Sequence, residues 1–256
     1  MSGKFERTAM LYGESALKLL SDARIIIVGL GGVGGAALES LVRSGIRHIT
    51  LVDFDVIRES NFNRQIIAVE PMLGTTKVKA AAARALAINP DCKITSMETF
   101  FHEDSAGDIL SRSCDVLIDA IDSVTPKTAL LRVAYSRGLR IVSSMGAAGK
   151  RNPALIRSAD ISETDVCPLA RRIRKKLRSS GISEGIRCVY STETVIRPMM
   201  QPAHEREHYE RGRTRTPLGS VSYMVSIFGQ YAAYEAIEII LKTKVSITES
   251  SSHDCK

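Results

Sequence analysis

A β-branched run that ends in a glycine-rich segment is the feature that most restricts the fold of this chain. Residues 24–30 read RIIIVGL, a pattern typical of a buried parallel strand. The next residues join this strand to a helical pattern and satisfy G-x-G-x-x-G, with Gly29, Gly31, Gly32 and Gly34. Backbone without Cβ atoms can approach a phosphate, and the free N–H groups at a helix start favour anions. This segment therefore predicts a nucleotide-binding loop.

Strand and helix patterns alternate through the first half of the chain. Strands are predicted at residues 24–30, 48–55, 93–97, 115–121 and 139–144, with helical patterns between them, including one at 75–89. This alternation predicts an α/β fold with a doubly wound, Rossmann-like, mostly parallel sheet. The second half is less regular, with a helix predicted at 165–180, a short strand at 187–190, a polar loop at 200–216 and a closing helix at 220–241.

Length and composition favour one soluble domain. We interpret residues 1–256 as a single unit, with a nucleotide-binding half at 1–150, a C-terminal elaboration at 151–243 and a tail at 244–256. The five cysteines form no C-x-x-C pair, which argues against structural zinc or a disulfide framework and favours a cytoplasmic location. Polar residues interrupt the apolar stretch at 221–241, so we expect a core helix rather than a stably inserted membrane span, and leave peripheral membrane association open.

The glycine loop alone leaves the nucleotide undecided, because NAD, FAD, S-adenosylmethionine and ATP all use such loops. Asp53 ends the second strand, where a carboxylate accepts hydrogen bonds from ribose hydroxyls. Arg64 and Lys77 follow as fixed cations, which suit the charges of a triphosphate. Asp119 and Asp122 lie where the fourth strand ends, an edge at which a carboxylate can hold Mg²⁺. Asp119 is equally consistent with a buried, hydrogen-bonded structural carboxylate.

Together, these motifs resemble the adenylating enzymes related to ubiquitin activation and to thiamin and molybdopterin biosynthesis. The resemblance covers roughly residues 5–150. It implies ATP and Mg²⁺ as cofactors, a homodimer, and an N-terminal arginine, here Arg7, that reaches the neighbouring subunit's site. The residues that it implies for nucleotide binding are Gly29, Gly31, Gly32, Gly34, Asp53, Asp55, Asn61, Arg64, Lys77 and Asp122. Arg64, Lys77, Asp122 and Arg7 are the implied catalytic residues, and Asp122 is the implied metal ligand.

The second half resembles the tRNA threonylcarbamoyladenosine dehydratase branch of these enzymes. The similarity lies in DAIDSVTPK at 119–127, CPLARRIRKKLRS at 167–179 and CVYSTE at 188–193. It implies that ATP adenylates the free carboxylate of a modified adenosine next to the anticodon, and that ring closure then expels AMP. The predicted helix also carries six cations that suit RNA phosphates: Arg171, Arg172, Arg174, Lys175, Lys176 and Arg178.

Three other functions remain open at this level. The first is an adenylyltransferase that activates the C-terminus of a ubiquitin-like or sulfur-carrier protein, which the missing C-x-x-C pairs disfavour. The second is a nonenzymatic scaffold that docks a cysteine desulfurase or a sulfur-acceptor protein. The third, an NAD-dependent oxidoreductase, leaves Arg64 and Lys77 unexplained. Cys188 and Cys167 are weak candidates for a nucleophile, because a cysteine on a buried strand is usually inert and because related sequences tend to have an acidic residue at the position of Cys167.

Overall fold

The computed structural model describes residues 3–110, 113–197, 199 and 218–251, with side chains up to residue 242. These residues form one seven-stranded sheet flanked by helices. The strands are β1 Arg24–Val28, β2 His48–Val52, β3 Lys93–Met97, β4 Val116–Asp119, β5 Ile141–Ser144, β6 Ile156–Asp160 and β7 Arg187–Ser191. The helices are α1 Glu6–Tyr12, α2 Glu14–Asp22, α3 Gly32–Arg43, α4 Lys77–Ile88, α5 Ala106–Leu110, α6 Val124–Ser136, α7 Pro168–Arg178 and α8 Ser222–Ser251. The polar loop predicted at 200–216 lies outside the described residues.

The strand order is β3-β2-β1-β4-β5-β7-β6, and all neighbours are parallel except the edge pair β6–β7. The predicted mostly parallel, doubly wound sheet is therefore confirmed. The chain order reverses between β1 and β4, which pair from Ile25↔Val116 to Val28↔Asp119. In open α/β sheets the crevice at such a switch point, beyond the carboxyl ends of the strands, is where ligands bind.

Helices cover both faces of the sheet, and successive side chains along each strand point to opposite faces, so both sets of side chains are buried. Ile25 and Ile27 of β1 pack on the side of α3, α4 and α8. Ile26 and Val28 pack on the other side, against α5, α6 and α7. This explains why the predicted strand contains an unbroken apolar run rather than an alternating one.

Helix α8 is the core helix that the sequence predicted. Its segment Ser222–Lys242 is long and apolar enough to cross a membrane, but 56% of that window is buried within the protein. Gly229 allows the close contact with α3, because a Cβ at this position would lie 2.4 Å from the carbonyl oxygen of Val33. The helix continues to Ser251, whereas the sequence predicted a tail from residue 244.

Three elements lack a sequence prediction, namely α1, α2 and β6. Helix α2 buries only Leu17 and Leu20, so its apolar signal is short. Strand β6 reads IRSAD and is held through its backbone ladder to β7, from Ile156↔Ser191 to Asp160↔Arg187. An edge strand of this kind depends on its neighbour rather than on its own hydrophobicity.

Candidate nucleotide site

The glycine loop leaves β1 at the switch point and is packed tightly on its protein side. Gly29 has φ +93°, which favours glycine, and a Cβ there would lie 2.9 Å from the backbone of Ala120. A Cβ at Gly34 would lie 1.8 Å from the carbonyl oxygen of Gly29. At Gly31, by contrast, no atom lies within 4 Å of an added Cβ. The loop is thus closed toward the protein and open at Gly31, where a ligand can approach its backbone.

Asp53 fastens the glycine loop to the end of β2. Its Oδ2 accepts a hydrogen bond from the Leu30 N–H (2.6 Å), and its Oδ1 accepts one from the Asp55 N–H (2.9 Å). Burial raises the pKa of this carboxyl, although the Lys77 ammonium and the two N–H donors oppose the shift. Each carboxylate oxygen has a second lone pair, so contact with a ribose is compatible with this anchoring role.

Lys77 begins α4 and points back toward the end of β2. Its Nζ lies 2.8 Å from Oδ2 of Asp55, and both side chains are 8% exposed. Arg58 Nη1 lies 2.8 Å from Oδ1 of the same carboxylate, so Asp55 links two cations. The Oδ1 of the buried Asn61 accepts a hydrogen bond from the Arg58 N–H (3.1 Å). Sequence reasoning missed Arg58, whose position three residues after Asp55 was the available signal.

Arg64 lies beside the glycine loop in the segment that covers it. A Cβ at Gly32 would lie 3.0 Å from the Arg64 carbonyl oxygen. Arg64 is half-buried as a residue, and its Nη1 donates to the Ser60 carbonyl (2.7 Å) and to Oδ1 of Asn63 (2.9 Å). The structure therefore brings the predicted residues Asp53, Asn61, Arg64 and Lys77 together around one loop.

Asp119, at the end of β4, is a structural carboxylate. Its Oδ2 lies 2.7 Å from the Lys127 Nζ and accepts a 2.7 Å hydrogen bond from the Ser143 hydroxyl. Its Oδ1 accepts one from the Ile121 N–H (3.0 Å), and Lys127 also donates to the Ile121 carbonyl (2.9 Å). Asp122 follows this tethered turn and is exposed. Of the two predicted carboxylates, only Asp122 is accessible to a metal ion. In the sequence, the signal for the Asp119–Lys127 ion pair was the position of Lys127 on the apolar face of the helix that follows β4.

The segment before α8 connects the second half of the chain both to the residues beside the glycine loop and to the turn at 145–149. The Asn63 side chain donates to the Ser220 carbonyl (3.0 Å), just before α8. The Gly149 N–H, at the end of the turn at residues 145–149, donates to the Gly219 carbonyl (2.8 Å). The buried Lys150 then donates to the Glu193 carbonyl (2.6 Å), and burial lowers the pKa of its ammonium. The turn at 145–149 is thus linked to the same crevice.

Arg7 is exposed on α1, next to the exposed apolar side chains of Met10 and Leu11. Within the described part of the chain, no hydrogen bond or ion pair joins Arg7 to its own glycine loop. Glu6, Arg7, Met10 and Leu11 line an open depression of about 580 Å³. A role for Arg7 at a nucleotide would therefore require a second copy of the chain.

Helix α7 buries one apolar stripe and presents most of its cations to solvent. Ala170, Ile173 and Leu177 form the buried stripe. The exposed cations are Arg171, Arg172, Lys175, Lys176 and Arg178. Arg174 differs from the expectation, because it is half-buried and donates to the carbonyl and hydroxyl oxygens of Thr164. Five cations, rather than six, thus face solvent on this helix.

The two cysteines discussed as nucleophiles are buried. Cys188 on β7 is fully buried, and burial raises the pKa of its thiol far above the ordinary range. Cys167 is buried at the N-terminus of α7. Because the thiolate is the nucleophile, the environment of Cys188 suits packing rather than covalent catalysis.

Comparison with known proteins places this geometry in a family. The model of the ThiF family matches residues 5–253. A tRNA threonylcarbamoyladenosine dehydratase from Escherichia coli (strain K12) is 40% identical over 202 residues, which cover 76% of this chain and 75% of that protein. The enzyme of the same name from Bacillus subtilis (strain 168) is 32% identical over 244 residues, covering 94% and 96%.

A solved structure agrees with these matches. The crystal structure of the Escherichia coli tRNA N6-threonylcarbamoyladenosine dehydratase in complex with ATP superposes with a TM-score of 0.85 at 34% identity, covering 95% of this chain and 96% of that one. The chain belongs to the ThiF family, and within it to the group that contains the tRNA threonylcarbamoyladenosine dehydratases.

Proposed function

We propose that this protein catalyses the ATP-dependent dehydration of threonylcarbamoyladenosine in tRNA, next to the anticodon. The substrate carboxylate attacks the α-phosphorus of ATP and displaces pyrophosphate. Attack within the modified side chain then expels AMP and closes a ring, with net loss of one water. The observation that carries the proposal is the similarity to a curated dehydratase over 94% of this chain, which includes the glycine loop and the C-terminal half.

The residues around the loop fit ATP. Gly31 leaves open space beside the loop backbone, and Arg58, Lys77 and Asp55 form an ion-pair cluster with net positive charge next to Asp53, which holds the loop. Three buried polar atoms in the surrounding segments have no hydrogen-bond partner: Oε1 of Gln65, Oγ1 of Thr76 and Oγ of Ser220. Buried polar groups are almost always paired, so these atoms indicate a site that a polar ligand completes.

Asp122 is the residue that would hold Mg²⁺ in this site. Mg²⁺ is usually bound through one or two carboxylates together with substrate phosphates, so a single accessible aspartate beside a triphosphate suits it. The ion would neutralise charge on the phosphates during adenylation. Lys127 holds the Ile121 carbonyl and thereby fixes the backbone that precedes Asp122.

The protein contributes position and charge rather than covalent chemistry. Arg64 and Lys77 hold the phosphates as negative charge develops on them, while Asp53 and Asn61 hold the nucleoside. Arg7 would reach the nucleotide of a second copy in a homodimer. The exposed Met10 and Leu11 support this arrangement, because adjacent exposed apolar side chains are typical of a surface that a partner covers.

The exposed cations of α7 support tRNA as the substrate. Each neutralised RNA phosphate releases counterions, so binding should weaken as salt increases.

A cytoplasmic enzyme is consistent with this assignment, and docking of a cysteine desulfurase or sulfur-acceptor protein is a further part of the proposal. The main alternative remains an adenylyltransferase for a ubiquitin-like or sulfur-carrier protein.

The decisive test is nucleoside mass spectrometry. Purified protein, ATP and Mg²⁺ are incubated with tRNA that carries threonylcarbamoyladenosine. Loss of one water from that nucleoside, with release of AMP, is the expected result. AMP release without dehydration would indicate that the activated carboxylate is hydrolysed. If neither product forms with competent tRNA, the protein-substrate alternative gains support and the proposal fails.

Variants assign the roles. Arg64→Ala and Asp122→Ala should abolish turnover while circular dichroism shows an intact fold. Asp91→Ala is a matched control, because Asp91 is exposed in the turn before the amino-terminal end of β3, at the sheet edge opposite the glycine loop. Wild-type rates in Arg64→Ala or Asp122→Ala would refute the role given to that residue.

A further inference from the structure

Three basic side chains lie in register at the amino-terminal end of the sheet. Arg24, His48 and Lys93 are the first residues of β1, β2 and β3, and they pair as Arg24↔His48 and His48↔Lys93. Side chains at paired positions of a parallel ladder point to the same face, and neighbouring strands lie about 4.8 Å apart. This arrangement puts a histidine directly between two cations, so a proton on the imidazole would face like charge on both sides.

These side chains line a cavity of about 320 Å³. This volume lies at the lower end of the range for small-molecule sites, about 300–1,000 Å³. The cavity also contains the hydroxyl side chains of Thr50, Thr95 and Ser113. It lies on the face that carries α5, which has only five residues, so β3 at the sheet edge is only partly covered.

The acids near this cavity are engaged at its edge. Oδ2 of Asp115 accepts a hydrogen bond from the Arg24 backbone N–H (2.8 Å). Oδ1 of Asp22 lies 3.6 Å from the Arg47 guanidinium. Burial lowers the pKa of His48, and the positive charges of Lys93, Arg24 and Arg47 lower it further, against the opposing effect of Asp22. The potential at the imidazole is therefore positive.

We infer that this cavity is a second anion site, which binds a phosphate group between Arg24, His48 and Lys93. Arg24 and Lys93 supply positive charge for phosphate oxygens, and the Arg24 guanidinium, whose Nη1 donates to the Ser113 hydroxyl oxygen (2.7 Å), keeps further N–H donors for an anion. The site is separate from the nucleotide loop, because that loop follows the opposite end of β1, a strand of five residues and about 16 Å. The inference does not depend on the proposed tRNA reaction.

The phosphate can belong to a small phosphate monoester or to an RNA backbone, since the chemistry at the cavity is the same. NMR of the His48 imidazole distinguishes these sources. The protein is titrated at constant ionic strength with inorganic phosphate, then separately with ribose 5-phosphate and with an RNA hairpin. A saturable shift of the His48 resonances and a higher His48 pKa in the bound state are expected, because a bound anion favours the imidazolium.

Lys93→Gln tests the site without removing a buried group, because Lys93 is exposed at the strand start. Loss of this cation should weaken phosphate binding about tenfold, which corresponds to one charge-assisted hydrogen bond. Lys79→Gln is the matched control, since Lys79 is exposed on α4, which packs against the opposite face of the sheet. No saturable response of His48 to any of the three probes, or equal affinities in Lys93→Gln and Lys79→Gln, would overturn the inference.

Discussion

Replacement of Lys127 by methionine should reveal how strongly the buried pair with Asp119 holds the turn beside the glycine loop. Both side chains are completely buried, and the ammonium lies 2.7 Å from the carboxylate. In Lys127→Met the carboxylate keeps the Ser143 hydroxyl and the Ile121 N–H as hydrogen-bond donors. Loss of one partner from a buried ion pair costs about 3–5 kcal/mol, because the remaining charge stays buried without compensation.

Urea unfolding followed by circular dichroism measures this cost. A double-mutant cycle with Asp119→Asn should show that the two substitutions together cost at least about 1 kcal/mol less than the sum of their separate effects. Lys242→Met is the control, because the Lys242 side chain is 76% exposed and pairs with Glu238 on the surface of α8. Its loss should cost about 0.5 kcal/mol at most. Additivity of the Lys127 and Asp119 effects within about 0.3 kcal/mol would refute the coupling inferred from the structure.

ATP binding provides a second, functional test of the contact between Lys127 and the turn before Asp122. The Lys127 ammonium donates to the Ile121 carbonyl, immediately before Asp122. Lys127→Met should therefore weaken ATP binding, as measured by calorimetry on the folded variant, whereas Lys242→Met should leave it unchanged. Unchanged ATP affinity in a folded Lys127→Met variant would show that the position of Asp122 does not depend on this tether.

Three further outcomes follow from local geometry. Gly34→Ala should abolish ATP binding and lower the unfolding free energy by about 1–3 kcal/mol, because its Cβ would lie 1.8 Å from the Gly29 carbonyl oxygen. Gly107→Ala, where the added Cβ meets open space, should bind ATP normally in calorimetry. The unfolding free energy should fall as pH drops below about 6.5, because the pKa of His48 is lower in the folded protein and the unfolded chain therefore takes up the proton first. Urea titrations at several pH values should show a smaller loss of unfolding free energy in His48→Gln than in the wild type. Iodoacetamide at pH 8 should leave Cys188 unmodified in the native protein, and rapid native labelling seen by mass spectrometry would contradict its burial.

Most of the first half of the fold could be predicted from the sequence. The strand predicted at 93–97 is β3, Lys93–Met97, and the helix predicted at 75–89 is α4, Lys77–Ile88. These predictions depend on local causes, namely apolar periodicity and the effect of Pro90 on the residue before it. The strands predicted at 48–55 and 115–121 are shorter in the structure, because their last residues turn away from the ladder to form the crevice.

The elements without a prediction depend on distant partners. Strand β6 exists because its backbone pairs with β7, some thirty residues later in the chain. Its only fully buried residue is Ile156, so no apolar pattern distinguishes it. The pair Glu235 and Arg187 shows the same dependence: it joins α8 to β7 through a 2.8 Å contact that spacing along the chain cannot reveal.

The sequence by itself determined the glycine loop, because the need for glycine at positive φ and at close backbone contacts is local. It also predicted Asp53 at the end of the second strand, Lys77 at the start of a helix and Arg64 in the segment between them. Tertiary structure alone decided which charges are available to a ligand. Lys77 and Lys127 look equivalent as lysines on predicted helices, yet Lys77 keeps 8% of its side chain exposed beside Asp55, whereas Lys127 is completely buried against Asp119. The reason is burial, which depends on contacts between residues far apart in the chain. Burial determines which group each charge pairs with and how much free energy an unpaired charge would cost.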